Sequence, residues 1–297
     1  MDVSYSPHYV ASGLAFDTTR KSKAIAESLD LYPIDGVRLL APDTMIDTAE
    51  IIRTMHANRY VDAVITGEPH HLAVSNGFRR WDAGMYGMAL AHCAGVVCGA
   101  RRAIEIGGIA GTLSSGLHHA KRSHGDGYCT FNGIAAAVID TLRRNIDARI
   151  AIFDVDAHCG GGTDDMVGSL EAVTHVDLYV DEFDLYPARP GQWFKAAGSA
   201  DMYRARTAEA VAFILDEHRR RPFDLCIYNA GVDPVDEDFI DGTDIFARDE
   251  FVAGTLATKI PTVFTLAGGY TSIETDASML TELHRGTIEA FAKVASN

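Results

Sequence analysis

A chain of 297 residues, 47% hydrophobic and 23% charged, has the apolar content for a large core and carries no signature of disorder. Its 41 acids against 26 bases give a formal net charge of −15, which excludes a nucleic-acid-coating role and disfavours docking on an anionic membrane leaflet. Five cysteines without a CxxC pair read as reduced thiols in a cytoplasmic protein rather than as a disulfide framework.

The opening Met1-Asp2-Val3-Ser4-Tyr5-Ser6-Pro7 has neither the basic head nor the apolar run of a secretory signal. Thr44-x-x-Asp47 ahead of Ile51, Ile52 and Met55 predicts a capping-box start to a helix running towards Tyr60. Residues 83–100 carry no charge, but four glycines and His92 make them a poor membrane span. Their Gly95-x-x-x-Gly99 fits a helix packed closely inside a core. No linker, low-complexity tract or repeat divides the chain, so one domain over 1–297 is expected.

Short β-rich runs then alternate with helical patterns. The apolar run 149–154 lacks polar alternation, as a strand covered on both faces does. Residues 175–180, 224–229 and 261–266 are further strand candidates, with a helix over 203–220 ending in basic residues and Pro222. Such alternation predicts an α/β fold with a mostly parallel sheet flanked by helices, and ligands gather at the carboxyl ends of such strands. The strand ends present Asp154-Val-Asp156-Ala-His158-Cys-Gly-Gly-Gly-Thr163, Ala230-Gly-Val-Asp233-Pro234 and Ala267-Gly-Gly-Tyr270.

Asp156-x-His158 puts a carboxylate and an imidazole on one side of an extended backbone, where they can share a divalent ion. Asp233 from a neighbouring strand end would complete three ligands, leaving a position open for water or substrate. Taken alone, the short pattern reads first as Asp156 capping a helix start and His158 as a satisfied polar residue; the other strand ends reverse that reading to metal. His118-His119 would offer a general base and an electrostatic partner beside a metal-bound water, whereas His70-His71 reads as a chance pair. Tyr270, on a Gly-Gly turn, has a phenol able to donate to an oxyanion.

Together these stretches resemble the histone deacetylase superfamily. The resemblance rests on Asp154-Val-Asp-Ala-His158 with Gly160-Gly-Gly162, Gly116-Leu-His-His-Ala120, Gly127-Tyr-Cys-x-Phe-Asn132, Asn229-Ala-Gly-Val-Asp233 and Gly268-Gly-Tyr270. Met55-His56-x-x-x-Tyr60-Val61-Asp62-Ala63 extends it into the N-terminal half. Tyr228-Asn-Ala-Gly231 and Asp181-x-x-x-x-Tyr186-Pro187 look most like the class IV branch and the acetoin-utilisation-type deacetylases. The resemblance implies the three-layer arginase/deacetylase fold: a single catalytic domain over 1–297 with a central, mostly parallel eight-stranded sheet. It implies Asp156, His158 and Asp233 as Zn²⁺ ligands (Fe²⁺ being the alternative), His118 and His119 as the tandem histidines with His119 the general base, and Tyr270 as the group polarising the acyl carbonyl. It further implies Asp154 as the carboxylate orienting the first histidine and as part of a K⁺ or Na⁺ site, with Gly127 and Tyr128 walling an acyl channel.

Two positions depart from the family pattern. Cys159 replaces a histidine, and Gly161 replaces the acid or amide that orients the second tandem histidine. Asp164 or Asp165 is expected to substitute, or else His119 works unpaired. The implied activity is metal-assisted hydrolysis of an acyl amine: acyl-lysine, acetylpolyamine or a small N-acyl amine. A catalytically weak acyl-amine binder is the rival reading. A ureohydrolase-type enzyme of the same fold is less favoured, since Gly160 stands where a second metal needs a carboxylate. Substrate identity, acyl length and oligomeric state stay open at this stage. Asp233 to Asp238 and Asp241 to Asp244 are read mainly as a solvated loop, and otherwise as an amine-attracting rim.

Overall fold

Every residue of strand β4 (Ile150–Asp154) is buried, although its side chains alternate in direction. Ala151 and Phe153 join one apolar cluster with Val176, Tyr228, Phe264 and Phe291. Ile150 and Ile152 join another with Val97, Ile134, Ile227 and Val263. An unbroken apolar run is what a strand covered on both faces requires, and the period of two sends its members to two separate cores.

The computed structural model describes residues 1–14, 17–236, 239–272 and 275–296. In chain order the other strands and α-helices are β1 (Asp2–Ser4), α1 (Asp17–Leu31), β2 (Arg38–Leu40), α2 (Met45–Met55), α3 (Asn58–Thr66), α4 (His70–Ala73), α5 (Gly84–Ile106), β3 (Ile109–Thr112) and α6 (Gly133–Arg144) before β4. After it come α7 (Gly161–Val167), β5 (Val173–Tyr179), β6 (Trp193–Ala196), α8 (Ala200–Arg220), β7 (Leu225–Gly231), α9 (Asp233–Asp236), α10 (Gly242–Val252), β8 (Thr262–Ala267) and α11 (Ala277–Ala295). The strands form one sheet in the order β2-β1-β3-β8-β7-β4-β5-β6, every pair parallel, with helices on both sides. All carboxyl ends therefore lie along one edge.

The uncharged segment is the buried helix α5, and no helix among the described residues is long and apolar enough to cross a membrane. The expected capping box is not formed. The Thr44 hydroxyl donates to the Ala94 carbonyl at 2.7 Å rather than capping α2. Nor does that helix reach Tyr60. It stops at Met55 because His56 turns extended, pairs through Nδ1 with the Lys121 carbonyl at 2.9 Å and packs on Phe131, so Tyr60 belongs to α3. These tertiary contacts outweigh local helix propensity.

Two expectations follow for stability. A Cβ on Gly95 of α5 would meet the Tyr9 hydroxyl and stand 2.8 Å from Thr112 Oγ1, whereas Gly87 on the same helix faces open space. Gly95→Val therefore lowers stability by about 1–3 kcal/mol in denaturant melts, while Gly87→Ala is neutral or stabilising by up to ~1 kcal/mol. Burial pushes the pKa of His92 down from 6.5 to about 4, against the pull of its bond to the Tyr9 carbonyl. The folded chain thus holds this imidazole neutral, a contribution complete above pH 6.5 and lost as pH falls towards 4. Denaturant midpoints recorded across that window fall, with up to ~3 kcal/mol of the loss absent from His92→Gln.

Candidate active site

The four central strands β3, β8, β7 and β4 and the neighbouring β5 end beside one cleft. The turn after β4 carries Asp156 and His158, β7 runs into Asp233, β8 into Gly268-Gly269-Tyr270, and the segment after β3 into His118 and His119. Asp156, His158 and Asp233 offer one ligand atom each, all within 4.8 Å of one another. His158 Nδ1 lies 3.1 Å from Asp156 Oδ1 and 3.4 Å from Asp233 Oδ2. Burial opposes charge on His158, but the two carboxylates outweigh it and push its pKa up to about 11. Two buried acids with one imidazole between them call for positive charge at this point, and the donor set suits a divalent cation. Gly268 has φ +61°, and a Cβ there would collide with the Asp233 carboxylate; only glycine lets the Tyr270 turn come so close.

His118 donates from Nδ1 to Asp154 Oδ2 at 2.8 Å, both side chains being buried. Asp154 is held in turn by Asn229 Nδ2 at 2.8 Å and the Asp156 amide at 3.1 Å. Burial opposes protonation of His118, yet Asp154 and Asp156 outweigh it and push its pKa up to about 10. For His119, burial and then the charge of His118 prevail over a carboxylate partner and lower the pKa to about 4. The pair, with ring centroids 3.9 Å apart and planes tilted by 47°, thus divides into a cationic and a neutral imidazole. That division is the one an electrostatic partner and a proton acceptor need.

Asn76, Gly77, His119, Gly127, Tyr128, His158, Phe183 and Tyr270 line a cleft of ≈ 420 Å³. The Phe183 ring stands edge-on to His119 at 5.0 Å and to His158 at 5.8 Å. Burial, then the Asp233 and Asp156 charges, raise the Tyr270 pKa far above the ordinary phenol value, so its hydroxyl stays a donor. Leu117, Tyr128 and Asp184 are the described non-glycine residues with left-handed backbone, and all adjoin this site. Such strain persists only where surrounding contacts over-determine it, and it gathers at functional centres.

The sequence profile of the histone deacetylase domain matches residues 17–285. The chain belongs to the histone deacetylase family. Histone deacetylase 2 of Arabidopsis thaliana is 30% identical over 190 residues, covering 59% of this chain and 48% of that protein. An acetylpolyamine amidohydrolase of Burkholderia pseudomallei is 30% identical over 169 residues, 52% of this chain and 48% of that one. The chain thus spans about half the length of these two relatives. The crystal structure of an acetylpolyamine aminohydrolase from B. pseudomallei has the same fold, with a TM-score of 0.75 at 18% identity over 99% of both chains.

In this histone deacetylase-family fold the nine residues singled out above converge on the cleft or directly behind it, while His70 and His71 lie exposed on α4. The expected partner of His119 is corrected. Asp164 is taken by Arg189 at 2.8 Å and Asp165 accepts from the Arg122 amide at 3.1 Å. Nor is His119 unpaired: Nδ1 meets Asp184 Oδ2 at 3.0 Å. Cys159 turns into a small cluster with Tyr179 and Tyr186, away from the Asp156, His158 and Asp233 group, and burial raises its thiol pKa. Asp241 caps α10 and Asp244 pairs with Arg204, whereas 237–238 lie outside the described residues. Sequence reasoning missed Asp184, Phe183, Lys121 and Asn76; the only signal was that the first two fall inside the quoted 181–187 stretch.

A divalent cation at 100 times its Kd is expected to raise stability by ~2.7 kcal/mol, seen as a higher thermal midpoint. Because His158 must shed its proton, binding at pH 7 releases H⁺, measurable by calorimetry in buffers of differing ionisation enthalpy. His158→Ala abolishes both effects.

Proposed function

We propose that residues 1–297 act as one zinc-dependent amidohydrolase unit that removes an acetyl or other acyl group from an amine. The observation that carries this reading is the convergence of a two-carboxylate, one-imidazole ligand set, a charged–neutral histidine pair and a half-buried phenol on one cleft. Asp156, His158 and Asp233 would hold Zn²⁺, with Fe²⁺ the alternative that metal analysis distinguishes. When bound, the ion supplies Lewis acidity and makes water a nucleophile near neutral pH.

The chain's own groups do the rest. With Nδ1 engaged by Asp184, neutral His119 accepts the water proton at Nε2 as the water oxygen bonds to the acyl carbon. His118, kept cationic by Asp154, stabilises the developing negative charge. Tyr270 donates its hydroxyl to the carbonyl oxygen. The C–N bond then breaks as a histidine protonates the leaving amine.

Tyr128, Phe183 and Tyr270 give the cleft aromatic walls suited to a linear acyl-amine arm. Acyl-lysine in a peptide and acetylated polyamines are the substrate classes, in keeping with the names of the two relatives. A monovalent cation, K⁺ or Na⁺, fits beside Asp154 and Asp177, which face each other on β4 and β5. Asp177 Oδ1 is buried without a hydrogen-bond partner, and burial followed by the Asp154 charge raises its pKa well above the carboxylate range. The acidic surplus, the reduced thiols and the absence of a membrane-length helix among the described residues suit an enzyme of the cytoplasm.

Assays on acyl amines differing in chain length and amine, with Tyr270→Phe as control, test this reading. The expected outcome is hydrolysis of at least one substrate, with kcat lowered about 10²–10³-fold in Tyr270→Phe at unchanged zinc content. Stoichiometric zinc without turnover of any acyl amine would instead leave a binder.

A further inference from the structure

Position 161 carries no side chain, yet His119 has a carboxylate. The acceptor comes from the loop after β5, four places across the sheet from β3, the strand that leads to His119. Asp184 Oδ2 meets His119 Nδ1 and the Gly162 amide, each at 3.0 Å, and Oδ1 lies 2.5 Å from Lys121 Nζ. Only 1% of the Asp184 side chain is exposed. A Cβ built on Gly161 would stand 2.2 Å from the Asp184 carbonyl oxygen and 2.4 Å from Asp184 Oδ1. The two positions therefore exclude each other: any side chain at 161 displaces Asp184, backbone included.

The loop is built to keep Asp184 there. Its backbone is left-handed at φ +60°, a conformation disfavoured outside glycine, asparagine and aspartate. The Phe183 carbonyl accepts from the Cys159 amide at 3.1 Å, and Asp181 forms a bridge to His158. Burial works against charge on Asp184, but His119 and Lys121 outweigh it and hold its pKa below the ordinary carboxylate value. An ionised acceptor at Nδ1 keeps the proton on that nitrogen and leaves Nε2, the other ring nitrogen, bare.

From this geometry we infer that Asp184 is the positioning residue for His119: it fixes the Nδ1–H tautomer, and the bare backbone at Gly161 exists to admit it. The role of His119 as base rests on the function proposed above; the tautomer does not. Because Phe183 walls the cleft on the same loop, substrate contact and base orientation share one segment of chain.

The test uses the full chain. Nitrogen-15 spectra of the imidazoles are expected to show His119 protonated at Nδ1 in the parent, with that signal lost in Asp184→Asn and in Gly161→Ala. On an acyl amine that the parent hydrolyses, each variant lowers kcat about 10–100-fold with KM and zinc content little changed. The double variant loses no more than either single one, since both break the same contact. A parent spectrum with His119 protonated at Nε2, or losses that multiply in the double variant, would overturn the inference, as would a raised KM at unchanged kcat. Should Asp184→Asn not fold, the parent spectrum and Gly161→Ala still decide. If the parent has the Nδ1–H tautomer but hydrolyses nothing, the positioning stands and the proposed activity falls.

Discussion

Five aspartate side chains, at 154, 156, 177, 184 and 233, lie out of water along one edge of one sheet. An uncompensated buried carboxylate costs several kcal/mol, so this edge is tenable only if every acid finds a hydrogen bond, a cation or a proton. Most of the local architecture answers that demand. Asp154 takes His118 and Asn229, Asp156 and Asp233 share His158, and Asp184 takes His119 and Lys121. Asp177 accepts from the Gly160 amide and the Tyr186 hydroxyl but keeps one oxygen unpaired. The same compensation that makes the acids tolerable creates a charged imidazole beside a neutral one, and hence the chemistry.

The scaffold can carry this cost because the central strands β4 and β7 pack apolar side chains on both faces. Cores on either side of β4 fix the strand ends, so the polar groups beyond them need little adjustment of their own. The strained backbone at Leu117, Tyr128 and Asp184 is held by that rigidity and by bonds such as Tyr128 N to the Asn76 carbonyl at 2.7 Å. Positive φ at these three residues aims the tandem histidines, the cleft wall and the His119 partner inward.

Much of the fold was legible in the sequence because parallel strands buried on both faces leave long apolar runs, as at 149–154 and 224–229. The three-residue strands β1 and β2 and the small-residue strand β3 were not, since Asp2–Ser4 or Ile-Ala-Gly-Thr carries no periodic signal. The break after Met55 was hidden too, because contacts of His56 with Lys121 and Phe131 come from segments far along the chain.

At the site, the sequence by itself determined the groups that lie close together in it: Asp154, Asp156 and His158 on one turn, His118 beside His119, Tyr270 after two glycines. Spacing of one or two residues along an extended backbone fixes relative direction without any tertiary information. Only the tertiary structure decided which carboxylate serves His119. Asp164 and Asp165 are nearer to Gly161 in sequence, but α7 turns them to Arg189 and to the Arg122 amide. Asp184 arrives from the next strand's loop, into space that a missing side chain leaves open. A partner defined by mutual exclusion of volume between two loops has no signature in either loop alone.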